Sequence, residues 1–341
     1  MKFTVKMKQI YINSKTLLIS IIIFLFLFEF FSMIASKFNL LIFNSNPLYF
    51  KKEYSGTEFS YKDPKIGSWN KSNKITRHIS KCFDVNYQFN NIGARDNKDY
   101  NESTFRKSII IIGDSFPAGY GINIEKTFFK IVERTLGKNL INLSVSGTNP
   151  KDYWNRFNHF VKNDDFSEII YFFLPQNDFI SKEKDENTKD RKTKKSNYLS
   201  YKIKSYLSKY TYSFNTLASI KFLYFNKDKS NENFSYNFKN KEIIDYTYSY
   251  VERIMKIKNI KKTLIVIPTR KDFQFNGNDK SYKKLYWYEQ LKKMSKLYNF
   301  MFIDVYDIFL VDEQYKYYHE CDGHWNEFGN KIVSEYYLKK R

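Results

Sequence analysis

The residues best suited to chemistry in this chain are one serine and a later aspartate–histidine pair. Ser115 comes three residues after the apolar run 108–112, and Asp322 and His324 stand two positions apart near the C-terminus. A histidine can take the proton of a serine hydroxyl, and an aspartate can hold that histidine in the correct tautomer. The pattern predicts Ser115 as nucleophile, His324 as general base and then general acid, and Asp322 as the carboxylate that orients His324.

Two further polar clusters contain groups that could stabilise an oxyanion. Gly147 follows the apolar run 140–143, and Asn177 follows the run 168–174. The backbone N–H groups of Ser115 and Gly147 and the side-chain amide of Asn177 could donate to the oxygen that becomes negative. Such a donor typically lowers a reaction barrier by about 2.7–4 kcal/mol, and a glycine lets the backbone approach a substrate closely.

These clusters can meet only if the strands before them end at one edge of a sheet. The chain alternates strand-like and helix-like segments, which predicts a parallel sheet with helices on both faces. The predicted fold is α/β, a three-layer α/β/α sandwich of the flavodoxin-like type with a five-stranded sheet. The expected strands are 108–112, 140–143, 168–174, 264–267 and 300–305, and the expected helices are 127–136, 150–160, 281–298 and 326–340.

The N-terminal segment 17–36 is apolar enough to cross a bilayer, which takes about 20 residues. Its one charge, Glu29, costs roughly 2.5–3.5 kcal/mol on insertion scales, and the many Leu, Ile and Phe residues outweigh it. The lysines before it predict a cytoplasmic N-terminus at 1–16, a single-pass signal anchor at 17–36 and an extracytoplasmic remainder, at the periplasm or cell surface. A cleavable signal peptide is the alternative, although residues 33–35 match a small-x-small cleavage site poorly.

The rest of the chain divides into a linker and N-terminal hairpin region at 37–106 and a catalytic domain at 107–341. Residues 83–89 alternate with the period of a half-buried strand. The domain contains an insertion at about 180–262 that is too long for a simple crossover. We interpret the insertion as a lid or a substrate-docking subdomain; a disordered surface excursion explains its first part equally well.

An extracytoplasmic domain lies in an oxidising compartment, where disulfides persist. Cys82 and Cys321 are the two cysteines of the chain, and a bond between them would join the segment beside Asp322 to the N-terminal hairpin region. A disulfide between them is one hypothesis that the sequence leaves open. Two unpaired buried cysteines are the alternative.

The charge of the chain is strongly basic: 57 Lys and Arg against 36 Asp and Glu give a formal net charge of +21. Such a balance can favour nucleic acid, anionic lipid or acidic polysaccharide. No nucleic-acid motif accompanies it and the charges are spread along the chain, so no nucleic-acid partner is predicted. No His, Cys and Asp group has the usual spacing of metal ligands, so neither a metal nor a cofactor is predicted.

Taken together, the clusters resemble the four blocks of the SGNH hydrolases, also called the GDSL lipase–esterase superfamily. In that family a Ser in a Gly-Asp-Ser turn, a Gly, an Asn and an Asp–His pair follow in order, and Ser115, Gly147, Asn177, Asp322 and His324 match them. The ending DGHWNEFG at 322–329 looks like membrane-anchored members, and so does the entry region, with Asp63-Pro64, Tyr87 and the segment 91–96. The resemblance covers roughly residues 62–340 without the insertion, and it implies ester substrates.

Three positions depart from the family pattern. Pro175 stands where a Gly normally precedes the Asn by two residues, and Phe116 replaces the Leu of the Gly-Asp-Ser-Leu motif. Asp322 is two residues before His324, whereas many members have a spacing of three. This spacing leaves a serine–histidine dyad open as the alternative to a triad.

The leading hypothesis is a membrane-anchored extracytoplasmic serine esterase that forms an acyl-Ser115 intermediate. The expected substrate is an acylated carbohydrate or another ester, with O-acetyl groups on envelope or exported polysaccharide favoured by the anchor. A polysaccharide O-acetyltransferase would use the same site, with a sugar hydroxyl in place of water. The remaining hypotheses are a non-catalytic glycan-binding envelope protein and a hydrolase of lipids or thioesters at the bilayer surface.

Overall fold

The computed structural model describes residues 2–38, 40, 59–79, 82–162, 165–182, 195–225, 235–320 and 322–341. The chain divides into two compact units, described separately below. The smaller unit comprises Met1–Glu53 and Arg191–Asn231, and the larger comprises Tyr54–Asp190 and Glu232–Arg341.

The larger unit is built on a parallel sheet of five strands in the spatial order β6-β5-β7-β8-β9. Relative to chain order within this sheet the arrangement is 2-1-3-4-5, the flavodoxin-like order. The predicted α/β fold is confirmed. The strands are β5 Ile109–Ile112, β6 Leu140–Asn142, β7 Glu168–Phe173, β8 Lys261–Val266 and β9 Met301–Asp304.

Burial explains why strands β5 and β7 are so apolar. Every residue of β5 and of β7 is buried, as expected for strands with helices on both faces. Ile109, Ile110 and Ile111 of β5 pair with β6 on one side, and all four isoleucines of β5 pair with β7 on the other. Their carboxyl ends therefore lie next to each other at one edge of the sheet.

The helices alternate with these strands and also form the smaller unit. Short 3-10 turns lie at Ile124–Lys126, Ser235–Asn237, Ser281–Lys284, Val305–Asp307 and Val311–Lys316. The α-helices are α1 Lys2–Lys37, α2 Glu102–Phe105, α3 Phe128–Leu136, α4 Pro150–Phe160, α5 Pro175–Asp178, α6 Lys195–Tyr210, α7 Tyr212–Phe225, α8 Lys241–Met255, α9 Arg270–Asn276, α10 Tyr286–Leu297 and α11 Glu327–Lys340.

Side-chain caps fix where the helices of the larger unit begin. Thr127, Asn149 and Asn326 accept backbone N–H groups at the starts of α3, α4 and α11, which satisfies donors that have no intrahelical partner. Helix α3 packs against α11, and α4 packs against α8. Asn330 of α11 accepts the Phe128 N–H at 3.0 Å, which ties the start of α3 to α11.

Two antiparallel hairpins precede the sheet in the chain. They pair β1 Ser60–Asp63 with β2 Gly67–Asn70, and β3 Ile75–Ile79 with β4 Asp84–Gln88. Strand β4 alternates exposed and buried residues, in agreement with the half-buried strand predicted over 83–89. Its buried side chains Val85 and Tyr87 cluster with Phe83 and Phe89.

Cys82 lies just before β4 and is disulfide-bonded. Cys321, the other cysteine of the sequence, lies outside the described residues. The pairing of these two cysteines therefore stays a prediction.

The smaller unit contains α1, α6 and α7. Residues Ser14–Lys37 of α1 are long and apolar enough to cross a membrane by length and composition, with a mean hydropathy of 2.7 over the most apolar window. A signal sequence near an N-terminus passes the same test. Helix α7 packs against α1, and α6 packs against α7.

Candidate active site

A tight turn at the end of β5 presents Ser115. The Phe116 N–H donates to the Asp114 carboxylate at 3.1 Å, and the Ala118 N–H donates to the Asp114 carbonyl at 3.2 Å. Gly113 is required at the strand end, because a Cβ there would come within 2.5 Å of the Pro117 ring. The serine is thereby held at the carboxyl edge of the sheet, only 4% exposed.

Ser115, His324 and Asp322 form one hydrogen-bonded chain. The Ser115 Oγ lies 2.7 Å from the His324 Nε2, and the His324 Nδ1 contacts the Asp322 Oδ1. When Nδ1 carries its proton and donates it to Asp322, Nε2 holds the lone pair that can accept the serine proton. The geometry is that of a nucleophile, a base and a group that orients the base.

The two-residue spacing between Asp322 and His324 is accommodated by a local turn. Asp322 Oδ1 accepts the backbone N–H of His324 at 2.9 Å and also contacts its ring Nδ1. One carboxylate oxygen thus fixes both the backbone and the imidazole of the same residue. Burial raises the pKa of Asp322, but the hydrogen bond and charge of His324 outweigh this, so the pKa lies below its ordinary value.

Asn177 reaches the serine turn from the end of β7. Its side-chain amide donates to the Asp114 Oδ2 at 3.1 Å, and the same carboxylate oxygen lies 3.5 Å from the Ser115 Oγ. A side-chain amide has two N–H donors, so one remains for another acceptor. Burial raises the pKa of Asp114, while the hydrogen bond from Asn177 acts in the opposite direction.

The turn that carries Asn177 is held by the next residue. Asp178 accepts the Leu174 N–H at 2.8 Å and the Tyr153 hydroxyl at 2.7 Å. Burial places the pKa of Asp178 well above its ordinary value. Pro175 occupies the first turn of α5, where its missing N–H leaves no hydrogen bond unmade, so this departure from the family pattern fits the local geometry.

Gly147 lies in the loop after β6, the strand beside β5. Its φ is +72°, a left-handed conformation that favours glycine. A Cβ at this position would meet nothing within 4 Å, so the need for glycine comes from the backbone angle rather than from crowding. The residue is exposed at the surface.

Arg156 of α4 links the loop that carries Gly147 to the serine turn. Its Nη2 donates to the Gly113 carbonyl at 3.3 Å and to the Thr148 Oγ1 at 3.0 Å, and its Nη1 donates to the Ser68 carbonyl at 3.3 Å. The guanidinium is fully buried, and burial lowers its pKa to about 10. One buried cation thus links two turns of the site with the β1–β2 hairpin.

Aromatic rings enclose the imidazole of His324. The Tyr120 ring is stacked on it with a centroid distance of 4.1 Å. The Phe116 ring is tilted relative to the imidazole, with a centroid distance of 4.9 Å. Burial and the charge of Asp322 raise the pKa of Tyr120 to about 12, so its hydroxyl is protonated at neutral pH. The stack restricts the orientations that the imidazole can adopt.

The segment that carries Tyr120 is anchored by Arg95. This buried guanidinium donates to the carbonyls of Ala118 at 2.8 Å and Ile122 at 2.5 Å, and also to that of Gly119. It lies over the Tyr87 ring at 3.9 Å from the centroid. Planar bidentate donation of this kind requires Arg rather than Lys.

His319 supports the histidine loop through its backbone. Its N–H donates to the His324 carbonyl at 2.9 Å, beside an isolated bridge between Tyr318 and Trp325. Burial lowers the pKa of the His319 ring, which keeps the imidazole neutral at neutral pH. Within the described residues, no group of three or more His, Cys, Asp or Glu residues is placed to hold a metal ion.

The structure brings together Ser115, His324 and Asp322, and ties Asn177 to the serine turn through Asp114. It places Gly147 on the loop of the neighbouring strand. Sequence reasoning missed the supporting residues Tyr120, Arg95 and Arg156, because each acts across the fold rather than through a local motif. The only sequence signal for two of them was their nearness to segments already singled out, 91–96 and the serine turn.

Comparison with known proteins finds similarity in solved structures only. No protein-family model matches the sequence, and no curated protein matches it. Structures of the G-D-S-L lipase and esterase family do match the fold.

Three of these structures illustrate the extent of the likeness. A lipolytic protein of the G-D-S-L family from Desulfitobacterium hafniense DCB-2 is 14% identical, with 69% of this chain and 99% of that chain covered and a TM-score of 0.37. The lipase/acylhydrolase from Enterococcus faecalis is 16% identical, with 69% and 94% covered and a TM-score of 0.40. An acetyl xylan esterase from Geobacillus stearothermophilus is 12% identical, with 69% and 94% covered and a TM-score of 0.39.

Proposed function

We propose that this protein is a membrane-anchored serine esterase of the SGNH type that acts outside the cytoplasm through an acyl-Ser115 intermediate. The observation that carries the proposal is the chain of contacts from the Ser115 Oγ to the His324 Nε2 at 2.7 Å and from the His324 Nδ1 to Asp322. A buried hydroxyl with a base at hydrogen-bond distance and a carboxylate behind that base is an activated nucleophile.

The chemistry follows from these positions. The Ser115 oxygen attacks the ester carbonyl carbon while the His324 Nε2 accepts the hydroxyl proton, and Asp322 stabilises the imidazolium that forms. When the tetrahedral intermediate collapses, the alcohol leaves with the proton of His324. Water then attacks the acyl-serine with His324 again as base, which releases the carboxylic acid and restores the Ser115 hydroxyl.

The negative oxygen of the intermediate is assigned to the N–H groups of Ser115 and Gly147 and to the free N–H of the Asn177 amide. The amide donates its other N–H to Asp114 at 3.1 Å, which fixes its direction before substrate binds. Donors held in place in this way need no reorganisation during the reaction. We therefore assign to Asp114 the role of orienting the Asn177 amide.

The site's location and substrate class rest on the N-terminal helix. Residues Ser14–Lys37 meet the length and hydropathy of a membrane span, and lysines precede the span, which favours a cytoplasmic N-terminus. An esterase anchored on the extracytoplasmic side of the membrane has access to acylated carbohydrate of the envelope or of exported polysaccharide. Acetyl is the proposed acyl group.

The nucleophile is tested with a fluorophosphonate probe on the full chain in detergent. We expect labelling of the wild type at Ser115 and complete loss of labelling in Ser115→Ala. Ser295→Ala is the matched control, because the Ser295 hydroxyl on α10 donates only to the nearby Lys292 carbonyl. Absence of labelling in folded wild-type protein would favour a non-catalytic glycan-binding role instead.

The substrate class is tested by comparing turnover of acetylated xylan, p-nitrophenyl acetate and long-chain p-nitrophenyl esters. An O-acetyl esterase turns over the two acetyl esters faster than the long-chain esters. A preference for long acyl chains would contradict the acetyl assignment and point to lipid or thioester hydrolysis.

A further inference from the structure

The one carboxylate inside the apolar part of α1 binds the start of another helix. Glu29 accepts the backbone N–H of Tyr212 through Oε1 at 2.7 Å and that of Ser213 through Oε2 at 2.9 Å. These are the first two residues of α7, in the segment predicted as an insertion. The contact lies within the smaller unit.

In a bilayer this contact gives hydrogen-bond partners both to the start of α7 and to the Glu29 carboxylate. The first N–H groups of a helix have no intrahelical acceptor, and unsatisfied backbone groups are costly in hydrocarbon. A carboxylate within a span is costly for the same reason. Glu29 lies eight residues before Lys37, the end of the candidate span, which is about 12 Å along the helix axis. The start of α7 is therefore placed at that depth.

Two polar residues, at and just after the turn between α6 and α7, make hydrogen bonds within the hairpin. The Thr211 N–H and hydroxyl both donate to the Leu207 carbonyl, at 2.9 and 2.8 Å. The side-chain amide of Asn215 donates to the carbonyls of Ser208 and Thr211, both at 2.9 Å. Irregular backbone within a membrane needs internal partners of this kind.

Helix α6 presents an apolar stripe to its surroundings. Leu199, Ile203, Tyr206 and Tyr210 recur at the spacing of one helix face, and each is between 40% and 65% exposed. The exposed residues Leu217 and Ile220 extend apolar surface onto α7. The side chains of α1 from Leu17 to Leu27, within the candidate span, are also exposed. The hairpin and the candidate span therefore both expose apolar side chains.

We propose that α6 and α7 form a re-entrant hairpin that enters the outer leaflet beside α1, with lipid acyl chains against the stripe of α6. The proposal rests on the membrane anchor of the proposed function. Helix α7 has 14 residues, or about 21 Å, which is shorter than the roughly 30 Å of a hydrocarbon core. The hairpin therefore enters and returns on one side.

The contact between α1 and α7 favours retention of the N-terminal helix over its removal. Removal of α1 as a signal peptide would leave the N–H groups of Tyr212 and Ser213 without their acceptor and would uncover the face of α7 that packs on α1. Lys202 and Lys204 are exposed residues of α6, and their positive charge suits anionic lipid head groups. The insertion then holds the catalytic unit to the membrane at a second place.

Lipid photolabelling tests the hairpin in the full chain. The protein is reconstituted into phosphatidylcholine–phosphatidylglycerol vesicles with a diazirine on one phosphatidylcholine acyl chain, and labelled residues are mapped by mass spectrometry. We expect labels at Phe26 of α1 and at Ile203 and Tyr206 of α6, which lie nearer than Leu199 to the start of α7. Leu297 and Leu310 of the larger unit are controls, because they are 71% and 59% exposed and should stay unlabelled.

Two sets of variants sharpen the result. Ile203→Asp should lower labelling of α6 by about tenfold or more, because an aspartate partitions poorly into hydrocarbon; Ile75→Asp, at a 67% exposed position of β3, should change nothing. Glu29→Ala should lower labelling of α6 while labelling of α1 persists. Glu29→Gln should restore part of it, since its carbonyl oxygen can accept one of the two N–H groups.

The possible outcomes separate the hairpin from the functions it rests on. Labels in α1 without labels in α6 would overturn the hairpin and leave the anchor standing. Absence of labels in α1 would overturn the anchor as well. Cross-links from α6 to a second copy of the chain would assign the stripe to self-association and also overturn the hairpin. Fluorophosphonate labelling of Ser115 in the same vesicles reports the esterase site independently.

Discussion

Asp322 and His324 show how a single residue can serve two purposes within a short loop. The Asp322 Oδ1 accepts the His324 backbone N–H at 2.9 Å and contacts the ring Nδ1. The sequence left a serine–histidine dyad open because the spacing is shorter than in many SGNH hydrolases. The turn geometry favours the triad, because the carboxylate reaches the imidazole without a longer loop.

Replacement of the carboxylate tests the triad directly. Asp322→Asn should lower kcat/KM for p-nitrophenyl acetate by roughly 10³–10⁴-fold, because an amide no longer holds the correct tautomer or stabilises the imidazolium. The pKa of Asp322 lies below its ordinary value, so the wild-type group is ionised at neutral pH, where the comparison is made. A loss smaller than about tenfold would support the dyad.

Tyr120 is predicted to position His324 rather than to react. Tyr120→Leu removes the stacked ring at 4.1 Å and should lower kcat by roughly 2- to 10-fold, in line with the energy of an aromatic pair. Tyr120→Phe keeps the ring and should restore kcat. Steady-state kinetics with separate kcat and KM decide the point: equal losses in both variants would mean that the hydroxyl, not the ring, is what matters.

At the scale of elements, the strands that carry site residues were predictable because their burial leaves a continuous apolar run. The start of β8 was not: the strand begins at Lys261 rather than at the predicted 264, because Lys261 and Lys262 pair with Glu168 and Ile169 of β7. Because both residues are lysines, the apolar pattern that predicts strands misses the first residues of β8. The Lys262 amine donates to two nearby carbonyls, of Met255 and Ile257, at 2.9 Å.

The helix predicted at 281–298 is divided in the structure. A 3-10 turn occupies Ser281–Lys284, and α10 begins at Tyr286. The break buries Tyr282 and lets its hydroxyl donate to the Asp304 carboxylate at 2.9 Å. This contact crosses from one element to the end of β9, so no local pattern could indicate it.

The carboxyl group of Asp304 is expected to make the stability of the folded protein depend on pH. Burial, followed by the charge of Asp307, raises its pKa to about 6, above its ordinary value of 3.8. The folded protein therefore binds more protons than the unfolded chain between these values, and stability falls as pH rises from about 4 to about 6, by on the order of 2–3 kcal/mol.

Asp304→Asn should remove this slope, because asparagine does not titrate. Thermal unfolding of detergent-solubilised protein at several pH values between about 4 and 7 measures it, and the Tm of the variant relative to wild type should rise with pH. A constant Tm difference across this range would contradict the assignment, since the loss of a hydrogen bond alone has no pH dependence.

At the scale of the whole molecule, the disulfide would connect distant parts of the chain. Cys82 is bonded, and its predicted partner Cys321 adjoins Asp322. Non-reducing peptide mapping should find one cross-linked peptide pair, and Cys82→Ser should lower the unfolding free energy by about 2–4 kcal/mol. Recovery of both thiols free, or of a bond between two chains, would contradict the intramolecular pairing.

The sequence by itself determined the order of the site residues, the α/β class and the apolar N-terminal helix. Each of these is visible as a local pattern in the sequence: an apolar run before Ser115, Gly147 after the next apolar run, and a long apolar segment around Glu29. These patterns reflect forces that act on neighbouring residues, namely burial and backbone conformation.

Only the tertiary structure decided which distant groups act together. It brought His324 within 2.7 Å of Ser115, stacked Tyr120 on that imidazole and paired Glu29 with the start of α7. The sequence predicted that His324 would serve Ser115, but it did not indicate the contacts of Tyr120 and Glu29, because each joins groups far apart in the chain and leaves no local pattern. Their formation depends on the packing of whole elements and on the need of each buried polar group for a partner.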